Sequence, residues 1–171
     1  MSIGDLSDSS SMYRLYTWKG ALRSIRENFM GGVGYGNAAY NEMYPQFAYA
    51  GIEAAEHTHS LYLQILFGLG IGGLLAFCIV LFLFAQMNLE YLKKSKHTES
   101  KWMVLACISA IVASLVMGAF DFVWYNYRIF FLFWVILALG CACVRVGNAE
   151  QKRHEIRMAE ETNRATLDIE L

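Results

Sequence analysis

Three long apolar runs without a charged residue dominate the hydrophobic pattern of this chain. They cover Ser60–Leu89, Trp102–Phe120 and 129–144. A stretch of about 20 apolar residues is long enough to cross a hydrocarbon core roughly 30 Å thick. We therefore predict three transmembrane helices, at about 61–86, 102–120 and 124–144.

An amphipathic helix is predicted before the first run, at about 12–29. Its apolar positions recur at intervals of three and four residues, at Leu15, Trp18, Leu22, Ile25 and Phe29. A second face carries the cations Lys19, Arg23 and Arg26. Such a helix suits a membrane–water interface, where the cations remain in water. A solvated charged face, with Glu27 paired to Arg23 at i+4, explains the same pattern.

A glycine-rich segment and an aromatic loop separate this helix from the first apolar run. Four of the six residues in Gly31–Gly36 are glycine, which predicts backbone conformations that other residues resist. Such a loop can bind phosphate through its amides, but the GxxxxGK[ST] pattern is absent. A tight turn is therefore the simpler interpretation. The tyrosine-rich residues 37–56 predict a compact loop with one short helix.

The composition agrees with a membrane protein. Hydrophobic residues make up 56% of the 171 positions and charged residues 17%, whereas about a quarter of an ordinary soluble domain is charged. The net charge of −1 gives no reason to expect a nucleic-acid partner. The four cysteines all fall in apolar runs, so we interpret them as packing residues and predict no disulfide framework.

The distribution of lysines predicts the topology. The connection between the first two runs carries Lys93, Lys94, Lys96 and Lys101, so the positive-inside rule places it in the cytoplasm. We predict an all-α integral membrane protein. Residues 1–60 form an extracytoplasmic helical loop region, 61–146 hold three transmembrane helices, and 147–171 form a polar helical tail in the cytoplasm. The N-terminal region would then need upstream-encoded transmembrane helices, so we expect the C-terminal part of a larger protein.

Two histidines lie where the polar region ends and the first apolar run begins. His57 and His59 would both be extracytoplasmic, as would the short turn Asp121–Arg128. Histidine titrates near neutral pH and can carry protons. Ordinary interfacial histidines explain the pair as well, and a metal site at His57 and His59 is a minor alternative.

Several ordered segments resemble the bacterial O-antigen ligase and polymerase family. The resemblance spans about residues 8–134 and includes an arginine before a tryptophan-bearing helix, a glycine turn, and an HxHN-x-YLQ-like entry to a transmembrane helix. In this chain those segments are Ser9–Arg14 followed by Trp18, then Gly32–Gly36, then His57–Gln64. Two positions depart from the family pattern, because Ser60 stands where asparagine is usual and Glu56 where proline is common.

The resemblance implies a glycosyltransferase that uses a polyprenyl-diphosphate-linked glycan as donor, with no metal and no cofactor. His59 matches the family histidine, which would act as general base or orient the acceptor. Arg14 matches the family arginine, whose guanidinium would stabilise the diphosphate leaving group. The substrate-binding candidates are His57, Arg23, Arg26 and Arg128. The resemblance also implies that the protein lies in the inner cell membrane, where membrane lipids are the other expected partners.

Two other interpretations remain open at the level of sequence. The chain could be a non-catalytic small membrane subunit that packs on a partner through the glycines of its first transmembrane helix. It could also be an inactive truncated fragment, and we expect no activity from the chain alone.

The predicted topology can be tested by cysteine labelling in intact cells. A cysteine introduced near Lys94 should resist an impermeant thiol reagent, since the lysine-rich connection is predicted to be cytoplasmic. A cysteine near Gly51 should react with the same reagent. The reverse labelling pattern would overturn the whole assignment.

Overall fold

A computed structural model describes residues 9–95 and 98–169, and all regular secondary structure in those ranges is helical. The described residues contain no strand. Two 3-10 turns, Tyr44–Gln46 and Val123–Tyr125, join the helices. The helices are α1 (Ser9–Glu27), α2 (Asn37–Met43), α3 (Leu61–Lys94), α4 (Thr98–Phe120) and α5 (Tyr127–Ile169).

Three of these helices are long and apolar enough to cross a membrane. They are α3, the stretch Ser100–Phe120 of α4, and the stretch Tyr127–Glu161 of α5. The predicted all-α class with three such helices is therefore confirmed. The helices are longer than the predicted spans, since α3 continues to Lys94 and one helix that begins at Tyr127 contains most of both the predicted third span and the tail. The limits of the membrane-spanning segments themselves stay predictions.

The chain forms two compact units. The first extends to Leu81 and includes Ala113–Leu132, and it holds every candidate site residue. The second consists of Phe82–Val112 and Phe133–Leu171, with buried Tyr91, Val104 and Val144 in its core.

The buried face of α1 is lined by small residues. Thr17, Ala21 and Ser24 are fully buried, whereas Leu22 of the predicted apolar stripe is 51% exposed. The reason is the neighbouring pair Tyr40 and Tyr44, whose rings stack with centroids 4.9 Å apart and need small residues opposite them. Of the predicted apolar stripe, Ile25 is buried against this pair, whereas Leu22 and Phe29 are exposed. The membrane–water interface predicted for the stripe therefore stays a prediction.

Helix α3 is broken at Gly70, which has φ of 63° and ψ of −167°. In an unbroken helix the amide of Ile71 would donate to the carbonyl of Phe67. Here the glycine-rich segment supplies both partners: the Ile71 amide donates to Phe29 O at 2.9 Å, and Phe67 O accepts from the Val33 amide at 2.9 Å. A third bond joins the Gly34 amide to Gly68 O at 2.9 Å.

These contacts require glycine on both sides of the break. A Cβ on Gly70 would lie 2.5 Å from Met30 O, and one on Gly32 would lie 2.6 Å from the Gly70 nitrogen. Both glycines have left-handed φ values. The amides of Gly32, Val33 and Gly34 are all bound to backbone carbonyls, so they do not form the phosphate cradle considered from the sequence.

We expect Gly70→Ala to destabilise the first unit, by about 1–3 kcal/mol for the left-handed backbone alone and more for the clash with Met30 O. Gly72→Ala is the matched control, because a Cβ at Gly72 meets no atom within 4 Å. Thermal unfolding of the purified chain in detergent measures both changes. Equal melting temperatures for the two variants would contradict the role of the Gly70 break.

Candidate functional site

The loop that carries the two histidines is anchored by the residue between them. Thr58 is fully buried, and its amide donates to Oε1 of Gln64 at 2.9 Å. The Thr58 hydroxyl donates to the carbonyl of Ser60 at 2.8 Å, next to the start of α3. His57 and His59 flank this anchor and are half-buried. The polar residues of the His57–Gln64 motif thus fix the loop and leave both imidazoles accessible.

His59 combines an unusual backbone with a charged neighbour. Its φ is 49°, and it is the one non-glycine residue with positive φ among those the structure describes. Its Nδ1 lies 3.3 Å from Oδ1 of Asp121, and the side chains of His59 and Asp121 are 24% and 49% exposed. The ring of Tyr13 on α1 contacts His59 edge-on, with centroids 6.0 Å apart. Non-glycine residues in this region often occur at functional sites.

Asp121 was not among the residues predicted for the site. It follows the last residue of α4, and its Oδ1 also accepts the Phe122 amide at 2.8 Å, which fixes the carboxylate. The sequence contained a signal, because Asp121 is an acid in a very short connection between two apolar runs. Its partner was not predictable, since His59 lies 62 residues earlier in the chain.

His57 packs against the same cluster. Its ring centroid lies 4.3 Å from that of His59, and its Nδ1 accepts the His59 amide at 3.3 Å. Desolvation lowers the pKa of His57, and the nearby His59 lowers it further, while Asp121 and Glu56 oppose the shift. Glu56 also faces Tyr125, where their hydrogen bond raises the pKa of the tyrosine hydroxyl.

An aromatic cavity of about 310 Å³ adjoins the histidines. Tyr125 and Phe122 line it, and their rings lie 5.2 and 5.8 Å from the ring of His57. Among the residues that the structure describes, no lysine or arginine lines this cavity. Its other lining residues include Tyr35, Asn37, Gln64, Trp124, Tyr127 and Phe130.

The four arginines singled out from the sequence differ in their surroundings. Arg14 is exposed and makes no hydrogen bond or ion pair with any described residue. Arg23 does not pair with Glu27. Instead its Nη2 donates to the Tyr49 hydroxyl at 2.8 Å, with the guanidinium 4.1 Å from that ring. Arg26 is exposed on the last turn of α1, and Arg128 lies 5.8 Å from the Tyr127 ring.

The structure thus brings together His57, His59 and Asp121. Among the described residues it shows no contact between His59 and Arg14. The part of α1 that reaches His59 is Tyr13, which immediately precedes Arg14. The roles assigned to Arg14, Arg23, Arg26 and Arg128 therefore stay predictions.

The glycine turn, the break of α3 and the histidine loop all lie in a segment that matches a known protein family. Residues 1–78 match the O-antigen ligase family. The resemblance predicted from the sequence is confirmed for this segment, which contains Arg14, His57 and His59. Asp121 and Arg128 lie beyond the O-antigen ligase match. No curated protein and no solved structure matches the chain significantly.

We expect His57 to titrate below the ordinary histidine pKa of about 6.5, because burial disfavours its charged form. Asp121→Asn should lower the His57 pKa further, since the carboxylate raises it. As the pH falls below about 6.5, the unfolded chain takes up this proton first, so His57 reduces stability in that range.

NMR titration of labelled histidines measures the His57 pKa, with the signal assigned by its loss in His57→Gln. An acid-induced loss of stability should be smaller in His57→Gln than in the wild type. A His57 pKa above 6.5 would contradict the burial of this ring.

Proposed function

We propose that this chain contributes the acceptor-activating site of a glycosyltransferase. The enzyme moves a glycan from a polyprenyl-diphosphate carrier to an acceptor hydroxyl at the outer face of the cytoplasmic membrane. The proposal rests chiefly on the contact between His59 and Asp121. The match of residues 1–78 to the O-antigen ligase family supports the class of reaction.

The proton transfer follows from the tautomer of His59. A neutral imidazole has one N–H donor and one lone-pair nitrogen. Nδ1 faces the carboxylate of Asp121 at 3.3 Å, so Nδ1 carries the hydrogen and Nε2 keeps the lone pair. Nε2 accepts the proton of the acceptor hydroxyl while its oxygen attacks the anomeric carbon. Asp121 stabilises the imidazolium that forms, as a carboxylate does in other histidine-based sites.

The leaving group needs a different partner. When the bond between the anomeric carbon and the diphosphate oxygen breaks, the electron pair stays on the diphosphate, which gains negative charge. A guanidinium can bind such a group through two parallel hydrogen bonds. We assign this role to Arg14, because it is exposed, has no partner among the described residues and follows Tyr13, which contacts His59. The guanidinium of Arg23 is hydrogen-bonded to the Tyr49 hydroxyl. Arg26 and Arg128 are therefore the further candidates for binding the diphosphate.

The aromatic cavity is suited to a sugar ring. Aromatic faces pack against the C–H groups of a pyranose, and amides can bond its hydroxyls. Gln64 and Asn37 supply such amides, and the Oε1 of Gln64 is already bound to Thr58. Because no lysine or arginine of the described residues lines the cavity, the diphosphate is not expected there. We therefore place a glycan ring in the cavity, next to His57.

A second candidate is a non-catalytic membrane subunit. It is favoured by the extent of the family match, which covers residues 1–78 and leaves α4 and α5 entirely outside. Glycan transfer in membranes that contain the chain, with and without any spans encoded in frame upstream, separates the two candidates. Transfer that depends on His59 supports the enzyme, whereas transfer that is indifferent to His59 supports the subunit.

His59→Ala should lower glycan transfer by about 10²–10⁴-fold, the usual contribution of a general base. Asp121→Asn should cause a smaller loss, because Nε2 remains while the charge that stabilises the imidazolium is removed. His154→Ala is the matched control, since His154 is exposed on α5 in the other compact unit. All three variants are compared at equal amounts in the membrane fraction. Transfer by His59→Ala within a few-fold of wild type would contradict the base role.

A further inference from the structure

We propose that His57, His59 and Asp121 form a binding site for a divalent transition-metal ion such as Zn²⁺. Each residue offers one ligand atom, and these atoms lie within 4.8 Å of one another. The sequence suggested the two histidines as a minor metal candidate, and the structure adds a carboxylate from a distant part of the chain. The site is therefore complete enough to hold an ion with three protein ligands.

The distances suit a small ion. Zinc binds imidazole nitrogen and carboxylate oxygen at about 2.0–2.2 Å in tetrahedral geometry, which separates neighbouring ligand atoms by about 3.3 Å. Nδ1 of His59 and Oδ1 of Asp121 are already 3.3 Å apart. The ligand nitrogen of His57 lies within 4.8 Å of the other two ligand atoms, so a small rotation of its ring adjusts its position. Its present hydrogen bond to the His59 amide is long, at 3.3 Å, so rotating this ring breaks only a weak contact.

The ligands are held in place by their surroundings. Asp121 is fixed by the Phe122 amide, and the histidine loop is fixed by buried Thr58. All three ligand residues are half-buried, so an ion held by them would still be accessible to water as a fourth ligand. Two imidazoles with one carboxylate favour zinc and neighbouring transition metals over calcium or magnesium, which prefer oxygen ligands.

Metal binding would exclude the base role of His59. A neutral imidazole has a single lone-pair nitrogen, so when Nδ1 binds the ion, the ring hydrogen resides on Nε2. That nitrogen can no longer accept a proton from an acceptor hydroxyl. The same ion also displaces the His59–Asp121 hydrogen bond. This inhibitory consequence rests on the proposed function, whereas the binding of the metal does not.

Binding is tested with Co²⁺ and Zn²⁺ on the purified full chain in detergent, carrying no polyhistidine tag. Co²⁺ should give visible absorption bands at one ion per chain, and calorimetry should show Zn²⁺ competing for the same site. His59→Ala and Asp121→Ala should each weaken binding at least about tenfold. His154→Ala should bind like the wild type, and Asp121→Asn, which keeps the side-chain shape, should also bind weakly.

Two results would overturn the site: no stoichiometric Co²⁺ binding by the wild type, or unchanged binding by a well-folded His59→Ala. Titration of Zn²⁺ into the transfer assay tests the inhibition separately. Transfer should fall as the site fills and return with chelator. Zn²⁺ binding without loss of transfer would contradict the inference that a bound metal prevents His59 from acting as the base. If the chain binds metal but its transfer does not depend on His59, the metal site is supported and the proposed enzymatic function is contradicted.

Discussion

The break of α3 at Gly70 is the constraint on which the first compact unit depends. A peptide group left without a partner in a lipid environment costs several kcal/mol, so a transmembrane helix can be interrupted only where protein satisfies the freed groups. The segment from Phe29 to Gly34 does this with three backbone hydrogen bonds. Because Gly32 and Gly70 approach each other backbone to backbone, the end of α1 is held against the first half of α3.

The histidine loop is positioned by a second set of bonds to the same half-helix. Gln64 lies on α3 six residues before the break, and its side chain holds the Thr58 amide. One half-helix therefore carries both the partner of the glycine segment and the anchor of the histidines. The face of α1 that packs on Tyr40 and Tyr44 brings Tyr13 to His59. The hydrogen bonds at the Gly70 break and the position of His59 therefore both depend on the first half of α3.

The elements that could be predicted from sequence are those whose signal is local. The three apolar runs specify long helices without reference to any partner, and the His57–Gln64 motif marks the loop. The buried face of α1 was not predictable from hydrophobicity, because it is set by the shape of two stacked tyrosine rings. The break at Gly70 was equally hidden. In the sequence, the glycines of α3 resemble an ordinary stripe of small residues for helix packing. Only the structure shows that the segment Gly31–Gly36 packs against them.

The contact between His59 and Asp121 was missed for the same physical reason, since it joins residues 62 positions apart. It is also the feature with the largest chemical consequence. A carboxylate beside one imidazole nitrogen fixes the hydrogen there and frees the other nitrogen as a base. The same pair, joined by His57, presents three metal ligands. Proton and metal thus compete for one nitrogen of His59, so the activity of the site would depend on which of the two is bound.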